Sequence, residues 1–133
     1  METMIPHIIN ITPIGNTERG YISVADLKLI PFRIKRVYWT FNNPNGVIRG
    51  HHAHRKLHQV IFAVNGSIRF MLEDKQGTKY EFVLDHPSKG LFISQGHWRT
   101  IEMKDNAVLL CLASEDYDES DYIRDYGVFK KEK

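Results

Sequence analysis

Four of the seven histidines in this chain fall within one stretch, Arg49-Gly-His-His-Ala-His-Arg-Lys-Leu-His58. His52 and His54 are two apart, so on an extended strand both imidazoles project from one face. Paired imidazoles do one of two kinds of chemistry. They form half of a metal site, or they move protons between neighbouring atoms near neutral pH. Arg49 precedes the pair, and its planar fork of donors suits a diphosphate or a developing oxyanion. His51 alternates away from the pair and is expected on the outer face. His58 should face opposite Gln59 and reads as structural or interfacial. His7 and His86 fall beside expected loops and carry no functional weight.

Side chains that share a face need strands to hold them. Turn signals cut the chain into short β-like runs, and helical periodicity is nearly absent. The expected strands are residues 21–25, 32–41, 60–64, 67–72, 79–84, 90–94, 98–103 and 107–113. Asn42-Asn-Pro-Asn-Gly46 reads as a loop and Lys75-Gln-Gly77 as a turn. Asn65-Gly66 is expected to join 60–64 to 67–72 as a type I′ hairpin, and Lys104-Asp-Asn106 to separate the last two strands. This spacing predicts an all-β sandwich or barrel, one domain over residues 1–133. The tail, 114–133, is acidic and aromatic at its start. Residues 119–124 are expected to form a short helical turn and 130–133 to fray. Its acidity argues against contact with an anionic ligand, so it is expected to pack on the barrel.

Composition narrows the function classes. Of 133 residues, 42% are hydrophobic and 26% charged, and the net charge is +2. That balance implies a globular domain with no general surface for nucleic acid. No apolar run approaches the ~20 residues that cross a bilayer, so no membrane partner is expected. Residues 1–10 lack the pattern of a secretory signal. The lone Cys111 sits in the apolar run Val108-Leu-Leu-Cys-Leu-Ala113 and reads as a buried structural thiol. A cytoplasmic location is expected.

A longer spacing links these parts. Gly46, five residues, His52, one residue, His54, four residues, Gln59, six residues, Gly66 resembles the first motif of the cupin superfamily. Glutamine stands where that motif places a metal-binding glutamate. The resemblance implies a double-stranded β-helix, a jelly-roll barrel with its site inside the mouth. The stretch from Gly90 to Ile101 opens like the second cupin motif. It lacks the proline, and His97 is several residues out of register for the third ligand. Glutamine is a weak neutral ligand, so no metal and no cofactor are expected. Free imidazoles beside Arg49 and Arg99 should stay neutral, which suits a general base.

Further stretches are Glu18-Arg-Gly20, Ile34-Lys-Arg-Val-Tyr-Trp39, Leu57-His-Gln-Val60 and Ala113-Ser-Glu-Asp-Tyr-Asp-Glu-Ser-Asp-Tyr-Ile-Arg-Asp-Tyr126. With the histidine motif they resemble the thymidine diphosphate-4-keto-6-deoxyglucose 3,4-ketoisomerases, the WxcM-like sugar-nucleotide cupins, over residues 8–131 or so. The resemblance implies a metal-independent isomerase. It would convert dTDP-4-keto-6-deoxyglucose to a dTDP-3-keto-6-deoxyhexose through an enediol, in the deoxyamino-sugar biosynthesis of surface lipopolysaccharide. It implies His52 and His54 as the catalytic pair, with His54 favoured as the base at C3. It implies Arg49, Tyr38, Arg19, Arg99, Gln59 and Trp98 as substrate contacts, with Trp39 a second candidate for stacking. It also implies a homodimer that exchanges N-terminal strands within residues 1–25. Subgroups of the family differ at two of these positions, with histidine in place of Arg99 or tyrosine in place of Arg19. Arginine at both matches neither subgroup, so the C4 configuration of the product stays open. Two other readings remain: a non-catalytic sugar-nucleotide-binding cupin, and a metal-dependent cupin dioxygenase using His52, His54 and His97.

Overall fold

The computed structural model describes residues 3–132. The strands are β1 (His7–Asn10), β2 (Ile14–Asn16), β3 (Gly20–Ile22), β4 (Arg36–Thr40), β5 (Ile48–His54), β6 (Gln59–Asp74), β7 (Lys79–Leu84), β8 (Lys89–Ile93), β9 (His97–Ala113) and β10 (Tyr122–Ile123). A 3-10 turn at Glu119–Asp121 precedes β10, and helix α1 (Tyr126–Lys131) closes the chain.

Two long strands organise the rest. β6 and β9 pair antiparallel from Gln59 opposite Ala113 to Asp74 opposite His97. Each serves two further neighbours. The first half of β6 pairs with β8 and its second half with β7. β9 takes β5 along its first half and β4 along its second. Two sheets therefore share one bent ladder, and they fold over a common interior that includes Ile61, Phe70, Leu72, Leu91, Ile101 and Leu109. This is the expected all-β jelly roll.

The bend corrects one detail. Asn65-Gly66 does not close a hairpin, because the chain bends there without reversing. Residues 60–64 and 67–72 are one strand, and so are 98–103 and 107–113. Gly66 (φ 73°) faces Asp105 (φ 59°) and Asn106 (φ 55°), and the register slips at this point. A Cβ on Gly66 would lie 2.6 Å from the Asp105 carbonyl oxygen. Turn-prone residues with positive φ serve a bulged corner as readily as a reversal.

The other differences lie toward the two ends. Residues 32–41 form a strand only at Arg36–Thr40. The residues ahead of it leave the ladder and lay Phe32 and Ile34 on an outer apolar cluster with Val60, Phe62, Phe92 and Leu112. Of the expected strand 21–25 only Tyr21 and Ile22 form, within β3 of a separate exposed hairpin with β2. His7 lies on β1, which pairs with β8. The helical turn expected at 119–124 is a 3-10 turn followed by a strand. The true helix comes later, capped by Asp125 and anchored by the buried Phe129. No helix among the described residues is long and apolar enough to cross a membrane.

Candidate active site

β5 carries a bulge. Gly50 pairs with Thr100 and His52 with Arg99, leaving His51 as the extra residue. Gly50 (φ 91°) and His51 (φ 56°) form the kink, and a Cβ on Gly50 would lie 2.9 Å from the Arg99 carbonyl oxygen. The extra residue lets Arg49 and His52 face the same side although they are three apart. His54 then follows by ordinary alternation. His51 is exposed, and it sits at the rim of the cavity rather than on the outer wall.

These residues line a cavity of ≈ 570 Å³. Its floor holds Tyr38, Gln59, Ile61 and Arg99, and His52 forms part of the wall. Arg36, Arg49 and Arg124 surround the opening together with Tyr117 and Tyr122. The His52 Nδ1 lies 3.1 Å from the Gly50 carbonyl oxygen. A carbonyl only accepts, so Nδ1 carries the proton and Nε2 keeps a free lone pair. Burial, with the charge of Arg99 second, lowers the His52 pKa to about 4. The ring is a neutral base at any ordinary pH.

His54 lies behind His52, with ring centroids 5.0 Å apart and only 1% of its surface exposed. Its Nδ1 donates to the Asp121 carboxylate at 3.1 Å. Asp121 also accepts the backbone N–H groups of Lys56 (2.6 Å) and Leu57 (3.3 Å). Burial and the charge of Arg99 outweigh this contact and hold the His54 ring neutral, far below its usual range. Asp121 thus fixes the tautomer and the orientation of the His54 ring.

The tail does more than pack. Tyr122 pairs with His54 across β5 and β10, its ring 4.4 Å from His54 and 5.1 Å from His52. The Arg124 guanidinium lies 4.2 Å above the Tyr122 ring and is held by Glu119. Asp121, Tyr122, Arg36 and Arg124 are absent from the site set the sequence suggests. The tail's summed acidity hides them. Asp118, Glu119, Asp121 and Asp125 bond to groups within the chain, while Tyr117, Tyr122 and Arg124 face the cavity. The signal was present in the Asp121-Tyr-Ile-Arg124 stretch, whose alternation separates the two faces.

Charge at the floor is one-sided. Arg99 is 1% exposed and, among the described residues, forms no ion pair with a carboxylate. Its Nη1 donates to Gln59 Oε1 and its Nη2 to the His97 carbonyl oxygen. Its Nε, like that of Arg36, is buried without a hydrogen-bond partner. Arg36 lies over the rings of Tyr38 and Tyr117. Arg49 donates to the Asn43 side chain at 2.7 Å.

Other expected site residues lie elsewhere. Trp98 alternates with Arg99, so it points out of the barrel and packs against Tyr126 and Phe129. It does not reach the cavity. Trp39 is exposed on the outer face of β4 for the same reason. Arg19 is exposed beside the β2–β3 hairpin, its backbone N–H bonded to Asn16, away from the cavity. His97 is buried against Tyr80 and bonded to the Ser94 carbonyl oxygen, off the cavity wall. No cluster of three His, Cys, Asp or Glu side chains suited to a metal occurs among the described residues. His58 is buried outside the barrel between Phe32 and Phe92. Cys111 is fully buried under the floor, and burial pushes its thiol pKa up to about 11.

A jelly roll with its cavity inside the barrel, a histidine pair at the wall and arginines at the mouth has the architecture of the cupin class. The chain belongs to the family described as FdtA: WxcM-like, C-terminal, whose profile matches residues 4–133. It is 40% identical over 125 residues to a TDP-4-oxo-6-deoxy-α-D-glucose-3,4-oxoisomerase of Aneurinibacillus thermoaerophilus, covering 93% of this chain and 89% of that one. The crystal structure of the sugar 3,4-ketoisomerase QdtA from Thermoanaerobacterium thermosaccharolyticum, in complex with TDP, superposes with a TM-score of 0.88. The identity is 38%, over 94% of this chain and 91% of that one. The WlaRB TDP-quinovose 3,4-ketoisomerase of Campylobacter jejuni gives a TM-score of 0.89 at 36% identity, over 96% and 98% of the two chains.

Proposed function

We propose that this protein is a sugar-nucleotide 3,4-ketoisomerase acting on a TDP-linked 4-keto-6-deoxyhexose. The observation that carries the reading is His52. It is a neutral imidazole with its free Nε2 on the wall of a cavity floored by an unpaired guanidinium. A variant of QdtA has been crystallised in complex with TDP-4-keto-6-deoxyglucose, the substrate this reading assigns here.

The reaction needs one base and a positive environment for oxygen. His52 Nε2 takes the C3 proton. The electrons of the C3–H bond form the C3=C4 double bond, and the C4 carbonyl oxygen becomes an oxyanion. The O4 oxyanion takes up a proton, a second proton adds at C4, the O3 proton leaves, and the product has its carbonyl at C3 and a hydroxyl at C4. No redox partner is needed. This assignment reverses the preference for His54 as base, because His54 sits behind the wall. His54, oriented by Asp121, instead backs His52 as the second proton carrier. Arg36, Arg49 and Arg124 at the mouth suit the diphosphate. Tyr38 offers its hydroxyl to the sugar.

A homodimer fits the surface. Ile14, Tyr21 and Ile22 on the β2–β3 hairpin are exposed, as are Val37, Trp39 and Phe41 on and beside β4. Two apolar sets left bare on one chain suit cover by a second copy. Exchange of the hairpin between copies would also return Arg19 to a cavity. The lone buried thiol and the nucleotide-linked substrate favour a cytoplasmic location, and deoxyamino-sugar biosynthesis is the process such a 3-keto product feeds.

Incubation with TDP-4-keto-6-deoxyglucose in deuterated water tests the reading. The expected result by NMR is a 3-keto product with deuterium at C4, whose configuration the same spectrum reports. Tight binding without exchange would instead identify a non-catalytic sugar-nucleotide-binding protein.

A further inference from the structure

Gln59 occupies the position where a cupin metal site would use glutamate, and its bonds give the glutamine a task of its own. A guanidinium has only donors, so the amide oxygen must face Arg99. Arg99 Nη1 accordingly donates to Gln59 Oε1. The amide nitrogen is thereby aimed the other way, donating to the Tyr38 hydroxyl at 2.9 Å and lying 3.3 Å from Cys111 Sγ. The Tyr38 oxygen accepts that bond, and its own proton lies between Cys111 Sγ and the cavity, where an anionic substrate oxygen is the stronger acceptor. The chain Arg99, Gln59, Tyr38 runs donor to acceptor throughout, with a buried cation at its head. Such chains polarise each bond along their length.

We propose that Gln59 is a positioning residue that keeps the floor positive, transmitting the charge of Arg99 to the Tyr38 hydroxyl so that both stabilise the enediolate oxygen. The proposal rests on the isomerase reading and extends it to a residue that acts through two others. Its logic lies in what glutamate would do at the same place. A carboxylate would pair with Arg99 and cancel the uncompensated charge. It would also accept from Tyr38, turning the phenolic proton away from the sugar. Loss of the metal ligand and gain of an oxyanion site are then a single substitution. The groups around His52 that set its titration are Arg99 on β9, Arg124 and Glu119 on the tail, His54 on its own strand and Tyr122 on β10. A carboxylate at 59 would add a negative charge to this set.

The test compares Gln59→Glu with Gln59→Leu, which removes the amide without adding charge. Both are assayed with a chelator present and checked for fold by melting temperature and for binding of TDP. Gln59→Glu is expected to lose about 100-fold or more in kcat, with KM changed less than about threefold. Gln59→Leu is expected to lose about tenfold. The acid limb of the Gln59→Glu profile should move to higher pH, because the added carboxylate favours the protonated His52 ring. Gln59→Glu within about threefold of the unmodified protein would overturn the proposal. So would a Gln59→Leu loss as large as that of Gln59→Glu, since the charge would then be irrelevant. If the unmodified protein fails to turn over the keto sugar, the isomerase reading falls on its own. The His52 titration followed by NMR still decides the electrostatic claim: an upward shift in Gln59→Glu supports it, and no shift sinks it.

Discussion

Two cavities of ≈ 570 Å³ each lie on opposite faces of the same pair of strands. The inner one takes Gln59, Ile61 and Leu109, and the outer one takes Phe62, Leu110 and Leu112. The outer walls are otherwise apolar or neutral, with Ile11, Pro13 and Ala25 among them. The inner walls carry arginines, histidines and tyrosines. Volume therefore says nothing about use here. Alternation along β6 and β9 sorts the two chemistries, and the inner side, proposed as the catalytic one, is the side that holds the buried arginine. Burying an unpaired guanidinium costs stability whatever its use. The outer side has no such cost and no such site, only surface suited to a second copy.

Substitutions that strike one face and spare the other test this contrast. The largest effect is expected from His52→Asn, with kcat falling about 1,000-fold as a general base is lost. Its melting temperature and oligomeric state should not change. An active His52→Asn protein would move the base to His54. Asp121→Asn should cost about 10- to 100-fold in kcat with little change in KM, since the substrate still binds while His54 loses its anchor. Leu110→Glu, on the outer face, should shift the sedimentation coefficient to that of a monomer and leave the His52 titration unaltered. A dimer surviving in Leu110→Glu would remove the outer cleft from the interface. The mildest probe is pH itself. Burial and Arg99 hold the His52 pKa at about 4, so the base stays unprotonated until the pH falls that far. The acid limb of kcat/KM is expected near pH 4, well below the ~6.5 of a solvated imidazole. A limb at the ordinary value would mean that water reaches the ring freely.

Much of the contrast is legible in the amino-acid sequence. The spacing of turn residues predicts an all-β sandwich or barrel, the resemblance to the cupins narrows it to a jelly roll, and His52 and His54 share a face because the strand there is regular. Arg99, Tyr38 and Gln59 do face the inner cavity. What escapes a linear reading is the effect of irregular backbone. Positive φ at Gly66, Asp105 and Asn106 looks like a hairpin signal until the partner strand is known to bend at the same place. The β5 bulge is likewise invisible as a pattern, yet it brings Arg49 and His52 together. Trp98 fails for the opposite reason: strict alternation with Arg99 decides its direction, and an aromatic beside a site residue is not thereby in the site. The tail is the largest omission. Net charge describes a segment as a whole, whereas β10 sends successive residues to opposite faces.

The tail's position in the chain has a consequence for synthesis. A protein is made from its N-terminus, and the barrel strands β1 to β9 all precede Asp121, Tyr122 and Arg124. The clamp on His54 and one side of the cavity mouth are translated after every barrel strand. A nascent or prematurely ended chain thus holds the ladder and both histidines without the group that orients one of them. On the proposed reading, the barrel is made before the group that orients its second histidine.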